Sequence, residues 1–239
     1  MADWDELRGA LGEQYALLVA AFADLDPRSA TDCAGWDVEN LQTHVAITAR
    51  GLARIAGSPV DGPATGGVAA WADATPGLAE VADSMAKAEV LALAPQAAAA
   101  LQALGDADPA ATVEQVTGRH TLHDAALFRL VEGVVHGLDA QLAPHPAALR
   151  IVTKELARAL ADKYPGRSVE VRIPPYTAVQ CVEGPRHTRG TPPNVVETDA
   201  VSFLRLCAGR VAWADTVGDG RVRASGERSD LSGLFPLLG

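Results

Sequence analysis

The sequence is short of positive charge. It has 20 Lys and Arg against 30 Asp and Glu, a formal net charge of -10. Nucleic-acid-binding surfaces are normally basic, and anionic membranes recruit basic patches, so neither is expected as a partner. Long apolar runs are also missing, and none reaches the ~18 residues a membrane span needs, so no membrane insertion is expected. The opening stretch, Met1-Ala2-Asp3-Trp4-Asp5-Glu6, is acidic and lacks the basic region and apolar core of a signal peptide. The expected location is the cytoplasm. Cysteine is sparse: Cys33, Cys181 and Cys207 lie far apart and form no CxxC. An odd, scattered set suits a reducing compartment better than a disulfide framework. Lysine is nearly absent, 3 against 17 Arg, a compositional bias of GC-rich genomes that carries no chemistry.

What is present describes a folded chain. Apolar residues make up 48% and charged residues 21% of the 239 positions, the balance of a globular protein of one or two domains. Of the 46 Ala, 34 lie before residue 141. Ala and Leu are strong helix formers, and the apolar spacing predicts helices at about 3–24, 36–57, 78–104 and 121–141. The Gly- and Pro-rich stretch 58–77 reads as a long connection, and Gly105 to Pro109 as a second break. Four helices with one long link make a four-helix bundle, in which ligand sites form between facing helices.

The texture changes after Ala143-Pro144-His145-Pro146. A helix is expected at about 146–163, closed by Tyr164-Pro165-Gly166. Strand-like runs follow at Ser168 to Ile173, with period-2 alternation, and at Ala178 to Val182. A loop from Gly184 to Asn194 carries Arg186, His187 and Arg189. Loops often carry binding groups, but a solvated turn is the simpler reading of this cluster. A helix over Asp199 to Ala208 and a strand at Val222 to Ser225 complete a small α+β domain. The expected organisation is a helical bundle over 1–143 and an α+β domain over 146–239.

Chemistry concentrates in the fourth helix. Glu132 and His136 are four apart and therefore share a helical face. Their neighbours Leu127, Phe128, Leu130, Val131, Val134 and Val135 are apolar, so the pair is expected to be at least half buried, where a carboxylate needs a partner. An ion pair or a satisfied core histidine would also explain it. His44 is a third candidate. Asp37 is a good N-cap, which puts His44 two turns into the second helix beside the buried face of Val38, Leu41 and Val45. Two His and one Glu with a fourth position open is the donor set of a catalytic zinc site. His120 and His123 precede the fourth helix, where Thr121 and Asp124 favour local capping. Arg129 and Asp139 are either ligand-orienting groups or ordinary helix-face charges. Cys33 reads as a small buried residue, and Trp4, Trp36, Trp71 and Trp213 as packing residues.

The stretch Cys33-Ala34-Gly35-Trp36-Asp37-Val38-Glu39-Asn40-Leu41-Gln42-Thr43-His44 and the segment Arg129 to Asp139 resemble the two signatures of the mycothiol-dependent maleylpyruvate isomerase family, within the wider DinB-like metal-binding four-helix bundles. The resemblance implies that His44, Glu132 and His136 are the metal ligands. Residues 190–199, 204–210 and 224–226 resemble the sterol-carrier-like domain that often follows this bundle. In isomerase-like members an Arg of that domain serves the active site, and Arg210 matches it. Guanidinium suits a dicarboxylate substrate or an anionic transition state. A salt bridge to Glu197 or Asp215 is the structural alternative.

The resemblance further implies mycothiol as cofactor, an actinobacterial host and a divalent metal. Zinc is the first choice, with nickel, manganese and iron compatible with the same ligands. The implied reaction is metal activation of the thiol for transfer to, or cis-trans isomerisation of, an electrophilic small molecule. A lipid-like ligand carrier with a vestigial metal site and a metal-dependent hydrolase on the same bundle are the alternative readings.

Overall fold

The structure, a computed structural model, describes residues 2–184 and 194–238. The chain divides into two compact units, Met1–Val152 and Thr153–Gly239.

In the first unit, helix α1 spans Trp4–Asp24 and α2 spans Val38–Ala56. Both start at aspartate caps. Asp3 accepts from the Glu6 N–H, while Asp37 and Asn40 form a reciprocal capping box. The predicted cap therefore fixes the entry of α2. A short helix α3, Val68–Ala74, lies inside the segment expected to be a plain connection, and a 3-10 turn at Thr75–Leu78 straddles its end. The helix expected over 78–104 is two helices, α4 at Ala79–Ala88 and α5 at Leu93–Ala103, broken at Glu89 to Ala92. Pro95 explains the restart: it occupies the first turn of α5, where its missing N–H has no helical partner to lose. The break after α5 holds an antiparallel hairpin, β1 at Thr112–Gln115 and β2 at Gly118–Thr121. Thr121 then caps helix α6, Leu122–Asp139, by accepting from the Asp124 N–H at 3.0 Å.

The bundle is α1, α2, α5 and α6. Helix α1 packs on α5 and α6, and α2 packs on α5, α6 and α4. Its core is made of residues three or four apart, such as Leu7, Leu11, Tyr15 and Leu18 on α1 and Val38, Leu41, Val45 and Leu52 on α2. Close approach of α1 to α6 depends on small residues. A Cβ on Gly137 would lie 3.3 Å from a Leu18 methyl, and one on Gly133 would lie 3.4 Å from Gln14 Cγ. The fully buried Gln14 amide joins the seam, donating to the Gly133 carbonyl at 3.1 Å and accepting from the His145 N–H at 2.9 Å.

Helix α7, Pro146–Lys163, carries the boundary between the units. In the second unit, strands β3 (Val169–Ile173), β4 (Thr177–Cys181), β5 (Val195–Thr198) and β6 (Val222–Ser225) form one sheet in the order β4-β3-β5-β6. The β3–β5 pair is parallel and the other two are antiparallel. Val169, Val171 and Ile173 are buried while Glu170 and Arg172 are not, as the period-2 pattern predicts. Between β5 and β6 lie α8, Ala200–Cys207, and α9, Trp213–Gly218. The expected bundle followed by a smaller α+β domain is the observed architecture, with the inner strand β5 and helix α9 as additions. No helix among the described residues is long and apolar enough to cross a membrane. Arg186, His187 and Arg189 lie outside the described residues.

Candidate metal and ligand sites

The packing of α2 against α6 brings His44, Glu132 and His136 together. His44 Nε2 is 3.9 Å from Glu132 Oε1. The two imidazole rings meet edge-to-face, with centroids 4.9 Å apart. All three side chains are largely shielded, at 12%, 18% and 11% exposed, which bears out the burial expected from their apolar neighbours. Helical spacing carries the arrangement further. Arg129, Glu132, His136 and Asp139 succeed one another by three, four and three residues and so line one stripe of α6.

Two neighbouring pairs along that stripe approach closely. His136 Nδ1 lies 3.0 Å from Asp139 Oδ2, and Asp139 is 1% exposed. A carboxylate only accepts, so Nδ1 is the donor here, which leaves Nε2 as the nitrogen through which His136 would bind a metal. Arg129 Nε is 3.2 Å from Glu132 Oε2, yet the pair is misaligned and neither buried atom has a hydrogen-bond partner. His44 is kept neutral. Burial pushes its pKa well below the usual histidine value, and the neighbouring His136 ring and Arg129 guanidinium push the same way. Tyr15 on α1 lies within the field of Arg129 and Glu132. Burial raises its phenol pKa, leaving a neutral hydroxyl without a hydrogen-bond partner.

The loop before α2 closes one side. Asp32 N–H donates to the Asp139 carbonyl at 2.9 Å, and Trp36 N–H to the Cys33 carbonyl at 3.0 Å. This turn sets the Trp36 ring 5.0 Å from His44 and 5.8 Å from His136, while its indole N–H donates to Asp83 on α4 at 2.9 Å. Trp36, expected to be a packing residue, is thus a wall of the site. Cys33 also comes close: its sulfur, a His136 nitrogen and an Asp139 oxygen all lie within 4.8 Å of one another. Asp139 therefore faces His136 and Cys33 inside the bundle and is not a solvated helix-face charge.

The two other histidines near α6 are engaged elsewhere. His120 meets the Thr117 hydroxyl and the Gly66 carbonyl, and His123 meets the Ala2 carbonyl. Local capping by Thr121, the simpler expectation, is what the structure contains.

The residues fit a divalent ion. Two imidazoles, of which His44 is held neutral, and one carboxylate converge, and the buried Glu132 Oε2 has an ion-pair neighbour in Arg129 but no hydrogen-bond donor.

Arg210 belongs to the second unit. It follows Gly209, whose φ of +67° ends α8 in the left-handed conformation that glycine adopts at least cost. The Arg210 N–H donates to the Arg205 carbonyl at 2.8 Å, and its Nη1 donates to the Ala208 carbonyl at 3.0 Å.

No curated protein is significantly similar to this chain. A crystal structure of the mycothiol-dependent maleylpyruvate isomerase matches with a TM-score of 0.60 and 15% identity, covering 96% of this chain and 95% of that one. A histidine-to-alanine mutant of the mycothiol-dependent maleylpyruvate isomerase matches with a TM-score of 0.62 and 14% identity, again over 96% and 95%. At that identity the likeness is one of fold. Residues 146–237 match the family described as bacterial SCP ortholog. Residues 8–141, more than half of the chain, match the family described as mycothiol maleylpyruvate isomerase N-terminal domain, and the chain belongs to that enzyme family.

Proposed function

We propose that this protein is a metal-dependent enzyme that uses a small thiol, mycothiol, for transfer to, or cis-trans isomerisation of, an electrophilic small molecule bearing a carboxylate. The observation that carries this reading is the convergence of His44, Glu132 and His136 in a shielded site of the first unit. Family membership supplies the thiol and the reaction class. The functional domains are residues 1–143 for the metal and thiol and 146–239 for the cation Arg210.

Zinc is the proposed metal, since two imidazoles and one carboxylate with a position left for an exogenous ligand are a common catalytic zinc set. Such an ion supplies deprotonation of a bound thiol at neutral pH. The rest of the work falls to the chain. Asp139 keeps the His136 proton on Nδ1 and the ring in register. Desolvation keeps His44 in its neutral, ligating form. Trp36 excludes water from the open side of the two rings. Arg210 binds the substrate carboxylate and offsets negative charge that builds in the transition state.

The test uses purified full-length protein. Wild type should contain about one divalent ion per chain, and His44→Ala should lose it while the fold persists. Consumption of an electrophile should require both mycothiol and metal, and chelation should stop it. Equal metal content in wild type and His44→Ala refutes the ligand set. Turnover without thiol replaces the reading with a hydrolase.

A further inference from the structure

The two carboxylate oxygens of Glu132 have different neighbours. Oε1 lies 3.9 Å from His44 Nε2, while Oε2 lies 3.2 Å from Arg129 Nε. We infer that Arg129 is a positioning residue: by keeping Oε2 to itself it limits Glu132 to one metal-ligating oxygen, Oε1, and so leaves a coordination position free for the thiol. The inference deepens the proposed function and rests on its ligand set of His44, Glu132 and His136.

Support of the helix does not account for the Arg129–Glu132 pair. Ion pairs along a helix work best with the acid on the N-terminal side, and here the arginine comes first, three residues before the glutamate. Such pairs also lie in solvent, whereas these side chains are 12% and 18% exposed. Burial strips water from both charges. Alignment does not compensate, because the buried Arg129 Nε and Glu132 Oε2 each lack a hydrogen-bond partner. The nearby residues Ala126, Leu130 and Gly133 of α6 are buried and carry no charge. Tyr15, whose phenol feels both charges, stays neutral and supplies no countercharge. Among the described residues, Glu132 is the carboxylate within ion-pair distance of Arg129.

That arrangement divides the work of the carboxylate. A carboxylate can ligate a divalent ion through one oxygen or through both. If Oε2 turned to the ion, a shielded guanidinium would stand beside a dication with no anionic oxygen between them. An uncompensated buried charge of that kind is strongly unfavourable. Arginine is charged at every working pH, so the bias never switches off. With Oε2 retained by Arg129, the protein supplies two nitrogens and one oxygen, the donor number that leaves a catalytic zinc open to an exogenous ligand. A second oxygen would compete for that position. Asp139 aims a ligand nitrogen, and Arg129 withholds a ligand oxygen.

The test is infrared difference spectroscopy of the full chain, zinc-loaded minus zinc-free. A carboxylate bound through one oxygen separates its antisymmetric and symmetric stretches more widely than a free one, and binding through both oxygens narrows the separation. Isotopic labelling of glutamate carboxyl carbons distinguishes Glu132 from the aspartates, and glutamates remote from the ion cancel in the difference. Wild type should show the wide separation. Arg129→Met should show the narrow one with zinc still bound, and Arg129→Lys, which keeps the charge, should recover the wide one. Mycothiol titrated into zinc-loaded protein should bind about tenfold more weakly to Arg129→Met than to wild type. A narrow separation in wild type overturns the inference and needs no variant to fold. A wide separation in zinc-loaded Arg129→Met, or equal mycothiol affinity in the two proteins, overturns it as well. So does a loss of zinc affinity of roughly 10–100-fold in Arg129→Met, the signature of a simple brace. Absence of zinc binding by wild type refutes the ligand set and this inference together, whereas a narrow wild-type separation removes the inference and leaves the ligand set standing.

Discussion

Replacing Asp139 by alanine should loosen metal binding without removing a ligand. The carboxylate is 1% exposed and sits 3.0 Å from His136 Nδ1. With it gone, the imidazole loses both the acceptor that fixes its tautomer and the brace that aims Nε2. Groups that orient a ligating histidine are typically worth 10–100-fold in metal affinity, or about 1.4–2.7 kcal/mol. Asp139→Asn retains an acceptor oxygen but not the charge, so it should fall between wild type and alanine. Affinity is read by competition against a chromophoric zinc chelator, with thermal melts as a control for folding. The close approach of Cys33, His136 and Asp139 offers a rival in which Asp139 and Cys33 are themselves ligands. That rival predicts a parallel loss in Cys33→Ser, whereas the orienting role predicts near wild-type affinity there. Unchanged affinity in Asp139→Ala, or an equal loss in Cys33→Ser, refutes the argument.

The packing seam and the thiols give further expectations. Gly137→Leu should overpack the contact with Leu18 and Gln14 and cost about 1–3 kcal/mol, lowering Tm by about 2–4 °C per kcal/mol; an unchanged melt would show that the seam is slack. Cys33 is half buried whereas Cys181 and Cys207 are buried, and burial pushes the Cys181 thiol up to about 11. Native protein treated with iodoacetamide near pH 8 should therefore carry its first adduct on Cys33 by mass spectrometry, and early labelling of Cys181 would contradict the packing of β4. The lowered His44 pKa makes the unfolded chain bind more protons than the folded one as pH falls below about 6.5, so metal-free protein should lose stability there by up to ~1.4 kcal/mol per pH unit. Chemical denaturation from pH 7.5 to 5.5 in wild type and His44→Gln checks this, and an identical pH slope in the two would refute it.

The parts of the fold legible in the sequence are those governed by local chemistry. Asp37 and Thr121 mark the starts of α2 and α6 because a cap depends only on the next three residues. Glu132 and His136 share a face because helical periodicity puts them there, and the apolar residues around them foretell their shielding. The division of the third predicted helix is different. Residues 89–92 contain no glycine or proline, and Pro95, the available signal, marks the restart rather than the stop. Strand β5 is four residues long, and its place inside the sheet depends on parallel pairing with β3, a long-range choice with no local mark. The same limit applies at the site. Asp139 could be read as a surface charge and Trp36 as a packing residue, because their roles arise only when the loop before α2 meets the end of α6.

Trp36 gives the molecule an optical use as well as a wall. Indole emission is sensitive to neighbouring imidazolium and to nearby paramagnetic or heavy ions, and its ring stands 5.0 and 5.8 Å from the two imidazoles that frame the site. The other tryptophans of the first unit look elsewhere: Trp71 stacks on Phe128 at 4.7 Å and Trp4 leans on His123 at 6.1 Å. One fluorophore therefore reports on the histidine pair from within, while its hydrogen bond to Asp83 ties the same signal to helix α4. Occupancy of the site and displacement of that helix can be followed as the difference in emission between wild type and Trp36→Phe, with no dye or label added.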